Sequence, residues 1–299
     1  MSVFVAQAAS GVYTLWGRLG TMLHDDPGPV VQRLILGERL RALRETSGTG
    51  LDDANAALGW YRGKLSKIEV GTLGLTDKEL GSLLDRYGVT GAEAEEVRQL
   101  GRDARRRAPP ERVSDWAKQY VPLERAASEI RMIDSEIPGP LQTWATARSQ
   151  LARSPVVTAA DLDTMAAARE ERGNRLFYQG APRVWFLLGE EALLRQVGTR
   201  DQRRAQLIRL RDIAGLPNIV LRLLPLDSGP HTGLSCPFTL LWIEEARARI
   251  GYVETLVGAD YVKSTNTYTI AFEQAEDHAL TEGHTREVLD SYINKQEHE

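Results

Sequence analysis

Residues 51–75, "LDDANAALGWYRGKLSKIEVGTLGL", alternate small and apolar positions at helical spacing on either side of a glycine-marked break. Leu51 to Leu58 read as one short helix, Gly59 as a sharp turn, Lys64 to Val70 as a second helix, and Gly71 as its stop. Ala54, Leu58, Leu65 and Ile68 are placed to pack the two helices together, the pattern of a helix-turn-helix. Asp52 and Asp53 open the first helix, and Tyr61 and Gly63 stand where short polar side chains would ordinarily precede a base-reading helix. Arg62 and Lys64 are the candidates for guanine edges or phosphates, and Ser66 and Lys67 for phosphates. The bland alternative is that these four form the solvated face of a helical hairpin.

Upstream, "VVQRLILGERLRALRETSG" is helical, with Val31, Leu34, Ile35, Leu40 and Leu43 expected on one stripe and Gly48 closing it. Downstream, Thr76 is a cap for "DKELGSLLDRYG", whose Leu80, Leu83 and Leu84 supply a buried face, and a charged fifth helix runs from Gly91 to Arg107. The basic run Arg105 to Arg107, followed by Pro109 and Pro110, marks a boundary. Three segments are expected: an extension over 1–28, a five-helix all-α domain over 29–108, and a second domain over 109–299. In the extension, Val12, Leu15, Trp16, Leu19 and Leu23 fall at helical spacing.

Beyond the boundary the texture changes. "APRVWFLLG", "NIVLRLLPL", "CPFTLLWIE" and "RIGYVETL" are short β-rich runs, separated by helical stretches such as "TAADLDTMAAAREERGNRLF", "EEALLRQVG" and "TRDQRRAQLIRLRDIAG", with "GHTREVLDSYINKQ" helical at the end. Strands alternating with helices predict an α/β or α+β domain, a mixed sheet covered by helices.

The net charge is −4, and between Arg33 and Tyr87 nine basic residues meet eight acidic ones, so any attraction to polyphosphate must come from local clustering. Cys236 is the single cysteine, which excludes an intramolecular disulfide and a cysteine-based metal cage and suits a reducing cytoplasm. His24, His231, His278, His284 and His298 are too scattered for metal-ligand spacing. No leader, membrane span, nucleotide-binding glycine loop or nucleophile elbow is present, so no cofactor, metal or membrane partner is expected.

Two places in the second domain carry chemistry. The loop "LPLDSGPHTGLSCPF", residues 224–238, follows a strand and offers Asp227, His231, Ser235 and Cys236 as ligand-binding candidates, with Glu254 in "GYVETL" as a carboxylate for His231. The corner "IDSEIPGPLQTW" places Asp134 and Glu136 two apart, where they would share a strand face as an acid and base pair. His231, Glu254, Asp134 and Glu136 are therefore the catalytic candidates. The plain alternative for His231 and Glu254 is a loop-packing imidazole and a strand-end carboxylate bonded to backbone.

"LGERLRALRETSG", "LDDANAALGW" and "GKLSKIEVG" together resemble the Xre, or lambda-repressor-like, helix-turn-helix. "VPLERAASEIRMIDSEIPGPLQT", "NIVLRLLPLDSGPHTGLSCPFTLLW" and "IGYVETLVGADYV" resemble a C-terminal domain of unknown function that follows this module in many actinobacterial regulators, and the two resemblances span roughly residues 29 to 295. They imply a transcriptional regulator, sometimes encoded beside a small partner protein in a toxin-antitoxin-like arrangement. His231 and Glu254 match positions of that pattern. The departures are Thr49 and Gly50 in place of a Leu-Thr pair, Tyr61 in place of a small polar cap, Thr72 for an Arg, Pro140 for a Leu and Thr146 for a Tyr. Gly63, read as lying within the second helix, would cost about 1 kcal/mol of helix propensity. Two readings stay open. One is a cytoplasmic, dimeric regulator that binds operator DNA through its helical domain and a small molecule or small neighbouring protein through the other. The second is a regulator scaffold with a degraded reader, repurposed as a cofactor-independent enzyme or carrier for a bulky apolar metabolite.

Overall fold

The computed structural model describes residues 27–108, 117–177, 180–255 and 258–298, without the side chains of 177, 297 and 298. The helix expected within 1–28 and the boundary prolines 109 and 110 lie outside these residues. Five helices come first: α1 (Pro29–Thr46), α2 (Leu51–Ala57), α3 (Lys64–Glu69), α4 (Asp77–Tyr87) and α5 (Gly91–Arg105). Thr76 caps α4 in a reciprocal box: its hydroxyl accepts from the Glu79 amide, and Glu79 accepts from the Thr76 amide. Leu80, Leu83 and Leu84 are fully buried against α1 and α5.

The second region is a six-stranded mixed sheet with helices on both faces. It contains α6 (Tyr120–Ala126), β1 (Glu129–Asp134), α7 (Trp144–Leu151), α8 (Leu162–Asn174), β2 (Arg183–Gly189), α9 (Arg200–Ile213), β3 (Ile219–Leu224), β4 (Phe238–Ile243), β5 (Ala248–Thr255), β6 (Gly258–Val262), α10 (Asn266–His278) and α11 (Glu282–His298). The sheet order is β3-β2-β1-β4-β5-β6. β1, β2 and β3 run parallel, and β4, β5 and β6 add to the other side of β1 as an antiparallel meander. Side-chain alternation splits the core. Ile130, Met132, Phe186, Leu221 and Leu241 face α9 and α11, whereas Ile133, Leu187 and Leu240 face Phe272 and Ala275 of α10. "EEALLRQVG" folds as a single helical turn over Glu191–Leu194 rather than a full helix. Among the described residues no helix is long and apolar enough to cross a membrane.

α1 departs from the expected single stripe. Val31 and Leu34, with Val30 and Ile35 beside them, belong to the core of the sheet region, while Leu36, Leu40 and Leu43 belong to the core of the helical region. At about 100° per residue the two sets lie on nearly opposite sides of the helix. The sequence reading assumed one core, and one helix serving two cores needs two stripes. Gly37 lies between them at a close contact: a Cβ there would sit 2.4 Å from the carbonyl oxygen of Glu69 in α3. Arg44 then clamps the same helix, its Nε donating to Glu69 Oε1 (2.6 Å) and its Nη2 to Oε2 (3.2 Å) in a largely buried pair.

A helix shared by two cores couples their stability. Calorimetry should show one unfolding transition for the full chain, and Leu40→Ala, costing about 2–5 kcal/mol, should lower it without splitting it into two peaks.

Candidate nucleic-acid interface and ligand cavity

The helix-turn-helix forms as the glycines predict, but its reading helix is capped differently. Ala54, Leu65 and Ile68 are buried between α2 and α3, and Gly59 takes φ +66° in the turn. Gly63 is the residue before α3, at φ +85° and ψ 0°, so it lies outside the helix in the left-handed region that side chains disfavour. The propensity cost assigned to it is thus corrected: glycine is what this turn needs. The cap missing at Tyr61 comes from across the turn. Asn55, 3% exposed, accepts from the Leu65 amide through Oδ1 (3.1 Å) and donates through Nδ2 to the Leu51 carbonyl (2.8 Å).

The four proposed contact residues do not share one environment. Arg62 is 91% exposed, 3.9 Å from Asp52. Ser66 and Lys67 are exposed on the same helix, Lys67 Nζ lying 5.6 Å from the Tyr61 ring centroid. Lys64 turns inward: its ammonium pairs with Glu79 at 2.5 Å and sits 4.3 Å from the Trp60 ring centroid, which joins α3 to the capping box of α4. With Tyr61 and Val70 also exposed, the face presented is Tyr61, Arg62, Ser66, Lys67 and Val70. It carries two outward cations and aromatic surface, a weakly charged reader.

The second site is a cavity of about 450 Å³ where the sheet changes direction. β1 ends there flanked by parallel β2 and antiparallel β4, so the carboxyl ends of β1 and β5 and the start of β4 open on one side, a switch point of the kind where sheets hold ligands. Its wall includes Asp134, Glu136, Glu254, Tyr252, Arg169 and Gln142. Asp134 and Glu136 do meet here, though not on one strand face. β1 stops at Asp134, and the chain bends so that the Glu136 amide donates to Asp134 Oδ1 at 2.9 Å. Burial pushes the Asp134 carboxyl up to about 6; the Glu136 amide opposes this, and the charges of Glu136 and Glu254 add to the rise. Glu254 accepts from the Tyr252 hydroxyl (3.1 Å), and burial together with that carboxylate raises the phenol. Arg169 donates from Nη1 to the Gln142 and Gln150 side-chain oxygens at 3.1 and 3.3 Å. Arg172, one turn further along α8, is bidentate to buried Glu124 at 2.9 and 2.7 Å. Arg169 and the two glutamines were not singled out from sequence, since only the fold brings α8 over the end of β1.

A larger cleft of about 1000 Å³ adjoins it, sharing Glu136, Ile137, Gln142 and Gln150. Its floor is apolar, with Leu193, Val197 and Leu207, and Arg153, Arg195, Arg203 and Lys295 contribute to its wall.

The loop 224–238 lies elsewhere. None of Asp227, His231, Ser235 and Cys236 lines either cavity, and Asp227, Ser235 and Cys236 are exposed. His231 Nε2 lies 2.9 Å from Ser228 Oγ, its ring is 5.4 Å from that of His278, and burial and that neighbour lower its pKa. The expected His231–Glu254 partnership is therefore corrected: Glu254 bonds Tyr252 at the cavity, and His231 packs on the side of α10. Gly233 explains the loop's path, since a Cβ there would meet Ile133 at 2.4 Å. Among the described residues no group of three His, Cys, Asp or Glu could hold a metal ion.

Two family models match the chain. Residues 35–97 match a helix-turn-helix domain, and residues 117–291 match a domain of unknown function, DUF5753. The second match spans more than half of the chain, which belongs to that family and carries a helix-turn-helix domain before it. No curated protein and no solved structure matches it.

Two substitutions test this geometry. Gly63→Ala should destabilise the chain by about 1 kcal/mol, because φ +85° is strained for alanine; a glycine inside the helix would give the opposite sign in a urea titration. Asp134→Asn keeps the bond from the Glu136 amide and removes the charge. A carboxyl raised from 3.8 to about 6 favours the folded state below pH 4 and loses that contribution as pH rises through 6. The variant should therefore be more stable than the parent by about 3 kcal/mol at pH 7.5, and the gain should largely vanish at pH 4 in paired denaturant titrations.

Proposed function

We propose that this chain is a DNA-binding transcriptional regulator of the Xre, lambda-repressor-like type, in which the helical domain contacts operator DNA and the C-terminal domain binds a small polar molecule in the cavity at the end of β1. The observation that carries the reading is the helix-turn-helix with Arg62, Ser66 and Lys67 outward on one face and its reading helix clamped to α1 by Arg44 and Glu69. A single short helix with two outward cations gives little sequence-independent affinity, so useful binding calls for a homodimer that reads two half-sites. On this reading the protein is cytoplasmic, is related to actinobacterial regulators and has a small protein encoded nearby as a further partner. Asp52 opposite Arg62 reduces attraction to non-specific DNA and leaves discrimination to Ser66, Lys67 and the Tyr61 ring.

The second reading, a repurposed enzyme or carrier for a bulky apolar metabolite, draws its support from the larger cleft and its floor of Leu193, Val197 and Leu207. Carriage fits this cleft better than catalysis, because its ionisable lining is mostly arginine and lysine, which are poor proton shuttles at neutral pH.

Binding to fluorescent DNA from the region around its own gene, with random DNA as competitor, decides between them. The regulator predicts specific binding whose logarithmic salt dependence has a slope of about −2 per reading helix, weakened about ten-fold by Lys67→Ala or Arg62→Ala and far less by Lys64→Gln beyond its effect on folding. Equal binding to random DNA, or none at micromolar protein, would retire the reader and favour the carrier.

A further inference from the structure

The larger cleft combines an apolar floor with a basic wall. Leu193, Leu194, Val197 and Leu207 line it, and Leu194 stands 49% exposed. Around them the lining carries Arg153, Arg195, Arg203 and Lys295 against one carboxylate, Glu136, in a chain whose net charge is −4. The cations come from four separate places in the fold. Arg153 follows α7, Arg195 follows the helical turn Glu191–Leu194, Arg203 lies in the first turn of α9, and Lys295 lies near the end of α11. A row of cations along one helix is an ordinary solvated face, whereas convergence from four elements on one hollow builds a local positive field, which a low-dielectric floor focuses.

The protein uses little of that charge itself. Arg203 Nη1 donates to the Gly198 carbonyl at 3.1 Å, and Lys295 Nζ lies 4.9 Å from the ring centroid of Tyr292, whose hydroxyl is anchored on Glu190 at 3.0 Å. Among the described residues Arg153, Arg203 and Lys295 make no ion pair; Arg195 lies 3.7 Å from Glu136, which also accepts from Gln150.

We infer that this cleft takes an elongated apolar molecule ending in an anionic oxygen head, a carboxylate or a phosphate monoester, with its chain on Leu193, Leu194, Val197 and Leu207 and its head among Arg153, Arg203 and Lys295. The assignment deepens the binding role drawn from this cleft above and rests on it. A planar guanidinium meets two oxygens of either head, and a volume of about 1000 Å³ leaves room for a long chain. A neutral chain would leave the cations unmatched, a tailless anion would leave the floor wet, and a cationic chain would meet like charge.

The test is isothermal titration of the full chain at pH 7.5 with octanoate, octyl phosphate, octan-1-ol, octylammonium, hexanoate and inorganic phosphate. Octanoate, octyl phosphate or both should bind at least about ten-fold more tightly than the alcohol and the amine, and hexanoate about ten-fold more weakly than octanoate, for the two methylenes it lacks. Arg153→Gln combined with Lys295→Gln, both at exposed positions, should weaken the anions about ten-fold and leave the alcohol unchanged, whereas Leu194→Ser should weaken anion and alcohol alike. Should a variant misfold, the parent still answers, because added salt must weaken the anions and not the alcohol. Alcohol bound as tightly as the anions overturns the assigned head and leaves an apolar carrier. Inorganic phosphate bound as tightly as octyl phosphate overturns the assigned chain, and no binding of any chain at millimolar concentration removes assignment and carrier together. Octanoate bound by a preparation that also binds its own DNA specifically supports the assignment and makes the cleft a regulator's ligand site in place of a carrier's.

Discussion

The molecule is organised around α1 being held from two sides. Its first turns bury Val31 and Leu34 among the tyrosines and strands of the sheet region, and its later turns bury Leu36, Leu40 and Leu43 in the helical core. A helix anchored on both faces cannot rotate to suit one core without exposing apolar surface in the other, at roughly 25 cal/mol per Å² uncovered. The reading helix takes its orientation from this strut. α3 lies so close to α1 that only glycine fits at 37, and the Arg44–Glu69 pair fixes its far end. The position of Arg62 and Lys67 relative to the C-terminal domain is thus set by packing rather than by a flexible linker.

The glycines and the polar cap explain why much of the helical domain was legible. Gly48, Gly59, Gly71 and Thr76 act through local backbone geometry, which sequence reports directly, and the structure puts turns or caps at each. The misreadings concern residues whose role depends on distant neighbours. Gly63 looked like a flaw in a helix because its position relative to the cap depends on where the turn ends. Asn55 was passed over because its value lies in an amide ten residues away. Lys64 looked like a DNA contact because nothing local reveals that Glu79 and Trp60 would take its ammonium. In the second domain the alternating strands were legible from β-rich apolar runs. The site was only half so: Asp134, Glu136 and Glu254 were visible as carboxylates in suggestive places, but their meeting with Arg169 required the order in which β1, β4 and β5 lie side by side.

That strand order also explains the chemistry of the cavity. Because β4 runs antiparallel to β1, and β5 antiparallel to β4, Asp134 and Glu254 reach the same end of the sheet from strands separated by β4. Covering that end with α8 brings two arginines over it: Arg172 pairs with the buried Glu124, and Arg169 shares the wall with Glu254, whose charge favours the ionised guanidinium. The wall therefore gathers three carboxylates, Asp134, Glu136 and Glu254, around the one guanidinium of Arg169 at this end of the sheet.

The cavity and the strut touch. Tyr252, whose hydroxyl bonds Glu254, stacks on Tyr120 at 4.4 Å and on Tyr261 at 5.4 Å between ring centroids. Tyr120 and Tyr252 belong to the same buried cluster as Val31 and Leu34 of α1. The seam between α1 and the sheet region also holds a titrating group. Lys263, just beyond β6, is lowered to about 8 by burial and by Arg33 of α1. With the folded value depressed, the seam is most favourable above the unfolded lysine pKa and loses that contribution as pH falls through 8. At neutral pH two cations thus oppose each other where α1 meets the sheet region, while apolar side chains hold the same contact closed.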